Sequence, residues 1–226
     1  MFIQQARSTH SADEIYRLIR EKISPVLPVL AKCQSTAELL ADPTYRKIAS
    51  AVERVLECPE IGDFSRSAAP VRLSYRFLAW NLERGIQLDR QLEVLHAHEY
   101  LQGCDVFLLT ETDVGMARSG NRHVAQEIAE ALEMHYTFAP CYLNLAKGAG
   151  VEFDVESHNE LGLHGNAILS RYPLQNIRSV HLKNGKDKMA GREKRLGRQT
   201  ALVAEVVFPN GILTAVSVHL DAQSSQ

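Results

Sequence analysis

Two apolar segments of this chain each end in a carboxamide or a carboxylate. Residues 76–83, RFLAWNLE, carry Asn81, and residues 105–111, DVFLLTE, carry Glu111. Short apolar runs of this kind are typical of buried strands. Polar groups at the ends of neighbouring strands can form an oxygen-rich pocket for a divalent cation. A third run ends in residues 217–221, SVHLD, so three predicted strands deliver polar side chains at their ends.

Composition and charge exclude several classes of protein. The 226 residues are 45% hydrophobic, which is enough for a globular core. A net charge of -2 gives no overall attraction to nucleic acid or to an acidic membrane, so phosphate binding would need a local basic patch. No run is long enough to cross a bilayer, and the scattered cysteines argue against both a zinc site and a disulfide framework. We therefore expect a cytoplasmic protein.

Residues 1–68 are predicted to form a helical N-terminal extension. Ser35 and Glu38 have the spacing of a capping box, and Asp42-Pro43 begins a segment with one apolar face. An earlier helix is expected to end near Pro25 or Pro28. Residues 58–70 then contain two prolines, a glycine and small polar residues, which is typical of a linker. We place a domain boundary between residues 68 and 69.

Residues 69–226 alternate between strand and helix signals. Strands are predicted at 72–82, 105–111 and 136–138, and helices at 88–102 and after Asn121. This alternation predicts an α/β domain with a mostly buried sheet and helices packed on it. Residues 200–208 and 212–220 flank the turn Pro209-Asn210-Gly211, so they are predicted to pair as an antiparallel hairpin.

Each candidate site residue also has a structural interpretation. A lone Asn81 more often caps a turn, a lone Glu111 more often forms an ion pair, and a lone His219 is usually structural. On adjacent parallel strands, however, Asn81 and Glu111 form an oxygen cluster suited to Mg²⁺ rather than to zinc. Residues 183–198 contain seven basic residues and three glycines, which predicts a mobile charged loop. If that loop borders the pocket, it would attract a polyanionic substrate.

Four segments in series resemble the endonuclease/exonuclease/phosphatase superfamily, whose fold is of the deoxyribonuclease-I-like type. They are residues 77–81 (FLAWN), 109–113 (LTETD), 165–174 (GNAILSRYPL) and 217–221 (SVHLD). The resemblance covers residues 72–221 and implies a four-layer α/β/β/α sandwich that hydrolyses phosphate esters with Mg²⁺ or Mn²⁺. It implies metal binding by Asn81 and Glu111, and contact between His219 and the scissile phosphate. Arg198 and Asn166 are predicted to bind substrate.

The same resemblance implies two further motifs, an Asp-x-Asn and a Ser-Asp-His, and neither follows His219 in this sequence. We therefore expect residues 69–226 to be the N-terminal part of the domain and the fragment to lack turnover. The full-length parent would be a metal-dependent phosphodiesterase or phosphatase. A non-catalytic binding module on the same scaffold is the alternative. The substrate remains open between nucleic acid and a phosphorylated lipid or inositol, and the oligomeric state is open as well.

Overall fold

The computed structural model describes residues 12–148 and 150–220. Its helices are α1 (Ala12–Leu18), α2 (Leu27–Leu30), α3 (Thr36–Ala41), α4 (Pro43–Glu57), α5 (Leu88–Ala97), α6 (Glu99–Gln102) and α7 (Val124–Ala131). A π-helical turn (Ile19–Ile23) and a 3-10 turn (Ser24–Val26) join α1 to α2. Across the described residues, the helices are too short or too polar for any of them to cross a membrane.

The predicted helix starts are confirmed at α3 and α4. The Ser35 side chain accepts a hydrogen bond from the Glu38 amide at 3.1 Å, and Asp42 accepts one from the Thr44 amide at 2.6 Å. These contacts satisfy backbone donors that have no partner inside the helix. Helix α7 begins differently from the prediction, because its N-cap is His123 rather than Asn121. The Asn121 side chain instead donates from Nδ2 to the His158 carbonyl oxygen.

The strands are β1 (Glu60–Asp63), β2 (Phe77–Arg84), β3 (Val106–Val114), β4 (His135–Asn144), β5 (Leu163–Ser170), β6 (Leu174–His181), β7 (Arg195–Gly197), β8 (Thr200–Phe208) and β9 (Gly211–Ser217). Among the described residues they form a six-stranded sheet of order β1-β4-β5-β3-β2, in which β7 also pairs with β4, and a three-stranded sheet of order β6-β8-β9. Strands β2 and β3 are parallel, and β8 and β9 form the predicted antiparallel hairpin.

The six-stranded sheet lies between the helices and the three-stranded sheet. Alternate residues of β3 face opposite ways: Phe107 packs in the apolar cluster shared with the helices, and Val106 packs in the cluster shared with β8. This alternation follows from the two-residue repeat of a strand and leaves the sheet buried on both faces. The predicted mixed α/β fold is confirmed as three layers, and the fourth layer of the predicted sandwich stays a prediction.

The helical segment shares its core with the six-stranded sheet. Buried residues of α1 and α4, such as Ile15 and Val52, belong to the same apolar cluster as Phe107 and Leu169 of the sheet. Strand β1 lies inside the predicted extension and pairs with β4. Residues on both sides of the predicted boundary thus pack in one hydrophobic core. The division of the chain at residue 68 stays a prediction.

A nearly buried carboxylate, Glu60, ties α1 to this sheet. It accepts hydrogen bonds from the hydroxyls of Tyr16 and Tyr136 and from His123 Nε2 at 3.0 Å. His123 Nδ1 accepts the Gln126 amide, so the ring proton lies on Nε2 and points at Glu60. Burial alone would raise the pKa of Glu60, but the hydrogen bonds from His123 and from the two hydroxyls hold it below its usual value.

Candidate functional site

Asn81 and Glu111 lie near the carboxyl ends of β2 and β3. These two neighbouring strands run parallel, so their carboxyl ends lie on the same side of the six-stranded sheet. Asn81 is in register with Thr110, the residue before Glu111. The β3 backbone departs from regular pairing with β5 between Leu109 and Thr112, and Glu111 within this bulge has φ 53°. A glutamate in the left-handed region persists only where its surroundings fix it, and such residues cluster at functional sites.

The end of the second sheet brings His219 to this edge. Ser217 in β9 donates a hydrogen bond to the Leu109 carbonyl oxygen at 2.8 Å and so fixes β9 against β3. Two residues later, His219 Nε2 lies 3.7 Å from Glu111 Oε1, and His219 Nδ1 lies 3.4 Å from Asn81 Nδ2. The structure thus brings together the three residues predicted at this site. Asp221, the last residue of the predicted motif, lies outside the described residues.

The orientation of Asn81 defines which histidine nitrogen carries a proton. The Asn81 oxygen accepts the Glu83 amide at 2.9 Å, so the amino group of Asn81 faces His219 Nδ1. An amino group can only donate, and Nδ1 must therefore accept. The remaining ring nitrogen, Nε2, carries the proton and is directed toward Glu111. This arrangement leaves His219 with a hydrogen-bond donor at the open edge of the sheet.

The site is open to solvent. The side chains of Glu111 and His219 are 22% and 42% exposed. Within the part of the chain that the structure describes, no group of three or more His, Cys, Asp or Glu side chains is arranged to hold a metal ion. The donors available are one carboxylate and one carboxamide oxygen that retains a free lone pair. This set fits Mg²⁺, which usually keeps several waters and takes one or two carboxylates from the protein.

Asn166 and Arg198 have other partners. The Asn166 side chain, in β5, is buried and donates to the Thr200 carbonyl oxygen at 2.8 Å, which links the two sheets. Arg198 forms an ion pair with Glu53 of α4, in which Nη2 lies 2.6 and 2.8 Å from the two carboxylate oxygens. Both side chains therefore stabilise contacts within the protein. Their predicted roles in substrate binding stay predictions.

The basic segment 183–198 packs against the N-terminal helices. Asp187 accepts hydrogen bonds from the backbone and hydroxyl of Thr36 at 2.8 and 2.5 Å. Lys194 donates to the carbonyl oxygens of Ala31 and Cys33, each at 2.6 Å. Two acceptors therefore hold the Lys194 ammonium away from solvent. The prediction that this loop attracts a polyanion stays a prediction.

From the sequence, Asp113 could be an outer metal ligand or a solvated charge, whereas the structure places it at the centre of a buried network. Both of its oxygens receive hydrogen bonds from Arg118, at 2.7 and 3.0 Å, and one also contacts His164 Nδ1 at 2.7 Å. Burial alone would raise the pKa of Asp113, but His164 and Arg118 hold it below its usual value. The available signal was a second carboxylate following a buried strand.

A family model described as "Endonuclease/Exonuclease/phosphatase family" matches residues 78–223. A solved endonuclease/exonuclease/phosphatase family protein from Leptotrichia buccalis C-1013-b is 11% identical, with a TM-score of 0.44, and the match covers 67% of this chain. The chain spans 58% of the length of that protein. None of the curated proteins matches this chain.

Proposed function

Because this chain belongs to the endonuclease/exonuclease/phosphatase family, we propose that its candidate site takes part in the metal-dependent hydrolysis of a phosphate ester. The observation that carries the proposal is the convergence of Asn81, Glu111 and His219 at one open edge of the sheet. The carboxylate and the carboxamide can bind a cation, and the proton-bearing imidazole can donate a hydrogen bond to a phosphate oxygen beside it.

The proposed roles follow from the donors that each side chain presents. Glu111 would hold Mg²⁺ or Mn²⁺, and the free lone pair of Asn81 would bind the ion or one of its waters. A bound divalent cation neutralises charge that develops on the phosphoryl oxygens. His219 would donate its Nε2 proton to a phosphate oxygen, a charge-assisted hydrogen bond stronger than a neutral one. Arg198 and Asn166 are proposed as residues that support the substrate site.

A Mn²⁺ titration of the 226-residue chain, followed by electron paramagnetic resonance, tests the metal role of Glu111. We expect Glu111→Gln to weaken Mn²⁺ binding by at least about tenfold, because it removes the charged donor. Glu93→Gln is the matched control, since Glu93 is an exposed carboxylate on α5. Unchanged Mn²⁺ binding in Glu111→Gln would remove Glu111 from the metal role.

Turnover is tested separately with Mg²⁺ and a panel of DNA, RNA, phospholipid and inositol phosphate substrates. Cleavage of one class by the gene product, lost in Glu111→Gln, would support the phosphoesterase and identify its substrate. Binding of a phosphate ester without any cleavage would instead support the alternative of a non-catalytic binding module.

A further inference from the structure

We propose that Arg118 is a positioning residue that holds Glu111 at the candidate site by anchoring Asp113, two residues further along β3. The proposal deepens the proposed function and rests on it for the role of Glu111. It concerns a side chain that is 1% exposed and binds Asp113. Arg118 therefore acts through Glu111 and not on a substrate.

The contact between Arg118 and Asp113 is rigid. Nε and Nη2 of the guanidinium donate to the two oxygens of Asp113 at 2.7 and 3.0 Å, and the carboxylate has no exposed surface. A planar guanidinium that binds both oxygens of a carboxylate fixes its orientation as well as its position. His164 of β5 contacts the same carboxylate. The backbone at residue 113 is therefore held from two directions.

Glu111 lies between two such anchors. On one side, Ser217 donates to the Leu109 carbonyl oxygen. On the other side, the Thr112 hydroxyl donates to the Gly165 carbonyl oxygen at 3.0 Å, and Asp113 is bound by Arg118. The intervening residue has φ 53° without being glycine. An unfavourable backbone conformation of this kind is maintained because both flanks are fixed.

The same guanidinium is linked through Glu152 to Arg84, the last residue of β2. Arg118 Nη1 lies 3.3 Å from one oxygen of Glu152, and the other oxygen accepts from Arg84 at 2.6 Å. Arg84 is three residues after Asn81 and also has a positive φ, 68°. Arg118 thus connects the strand ends that carry Asn81 and Glu111.

Among the described residues, the ion pairs around Arg118 join as many guanidinium groups as carboxylates. Arg118 Nη1 also donates to Glu193 at 2.9 Å, and Glu193 pairs in turn with Arg195. Three guanidinium groups (Arg84, Arg118 and Arg195) thus alternate with three carboxylates (Asp113, Glu152 and Glu193). Since its charges already neutralise each other, the network is suited to holding the backbone rather than to binding a cation.

Arg118→Lys tests the proposal, because it keeps the charge and loses the two-pronged contact. We expect hydrogen exchange of the amides at residues 110–113 to become about tenfold faster and Mn²⁺ affinity to fall by about tenfold. Arg122→Lys is the matched control, because it makes the same change in an arginine that pairs with carboxylates at the surface, Asp89 and Glu127. It should leave both measurements unchanged.

A double-mutant cycle separates positioning from general loosening. In the Glu111→Gln background, Arg118→Lys should reduce Mn²⁺ affinity no further, because the two changes act through one group. Unchanged exchange at residues 110–113, unchanged Mn²⁺ affinity in Arg118→Lys, or additive losses in the cycle would each overturn the proposal.

Two further outcomes are distinguishable. If the unsubstituted chain binds no Mn²⁺, the proposed function fails, and exchange at residues 110–113 alone decides whether Arg118 fixes this segment. If Arg118→Lys does not fold, Glu193→Gln takes its place, since it removes one partner of Arg118 near the surface. Faster exchange at residues 110–113 in that variant would support the proposal, and unchanged exchange would overturn it.

Discussion

Replacing Arg118 by methionine removes the central cation of a buried network while keeping much of the side-chain volume. Removing one partner of a buried ion pair costs about 3–5 kcal/mol, because the other charge is left unsatisfied. Here each carboxylate keeps at least one other partner, such as His164 for Asp113, Arg84 for Glu152 and Arg195 for Glu193. We therefore expect a loss near the lower limit, about 3 kcal/mol.

Thermal unfolding followed by circular dichroism measures this loss. For a chain of this length, about 3 kcal/mol corresponds to a fall in Tm of about 6–12 °C. Arg66→Met is the control, because Arg66 and Glu133 form an ion pair at 3.2 Å whose side chains are 77% and 47% exposed. An exposed pair of this kind contributes about 1 kcal/mol or less. Equal Tm values for the two variants would refute the assignment of a stabilising role to the Arg118 network.

Three further changes test individual contacts. Since the folded protein lowers the pKa of Glu60, its stabilisation is present above the unfolded pKa of about 4.3 and lost in acid. Glu60→Gln should thus be about 2 kcal/mol less stable than wild type at pH 7, and urea unfolding should show this difference shrinking toward pH 3 rather than staying constant. Ser217→Ala leaves the buried Leu109 carbonyl oxygen without its donor and should cost about 1–2 kcal/mol in urea unfolding; no loss would show that this bond contributes nothing. In Gly165→Ala the new Cβ would lie 2.0 Å from the Ala139 carbonyl oxygen, so we expect a loss of about 3 kcal/mol in thermal unfolding, and a Tm equal to that of wild type would contradict this close approach.

Local patterns predicted much of the fold correctly. The caps at Ser35 and Asp42, the parallel pair β2 and β3 and the hairpin of β8 and β9 are confirmed. Each of these depends on residues close in sequence or on a repeat of two or 3.6 residues. The membership of the endonuclease/exonuclease/phosphatase family is also confirmed, through residues 78–223.

Other elements depended on partners distant in sequence. Strand β4 extends from His135 to Asn144, well beyond the predicted 136–138, because it pairs with β1, β5 and β7. Pro140 lies within β4, and a proline in the sequence argues against the interior of a strand. The Asn121 prediction for the start of α7 was wrong because His123 caps the helix, its Nδ1 accepting the backbone amide of Gln126 in the first turn.

By itself, the sequence determined which residues were candidates for the site. Asn81, Glu111 and His219 each follow an apolar run, and such runs predict strands without reference to the rest of the chain. Only the tertiary structure decided that these three meet, that Glu111 lies in a strained bulge, and that Arg118 supports it. The physical reason is that a buried charge is stabilised by its neighbours in space. The neighbours of Arg118 come from segments far apart in the chain, from Asp113 to Glu193, which no local pattern relates.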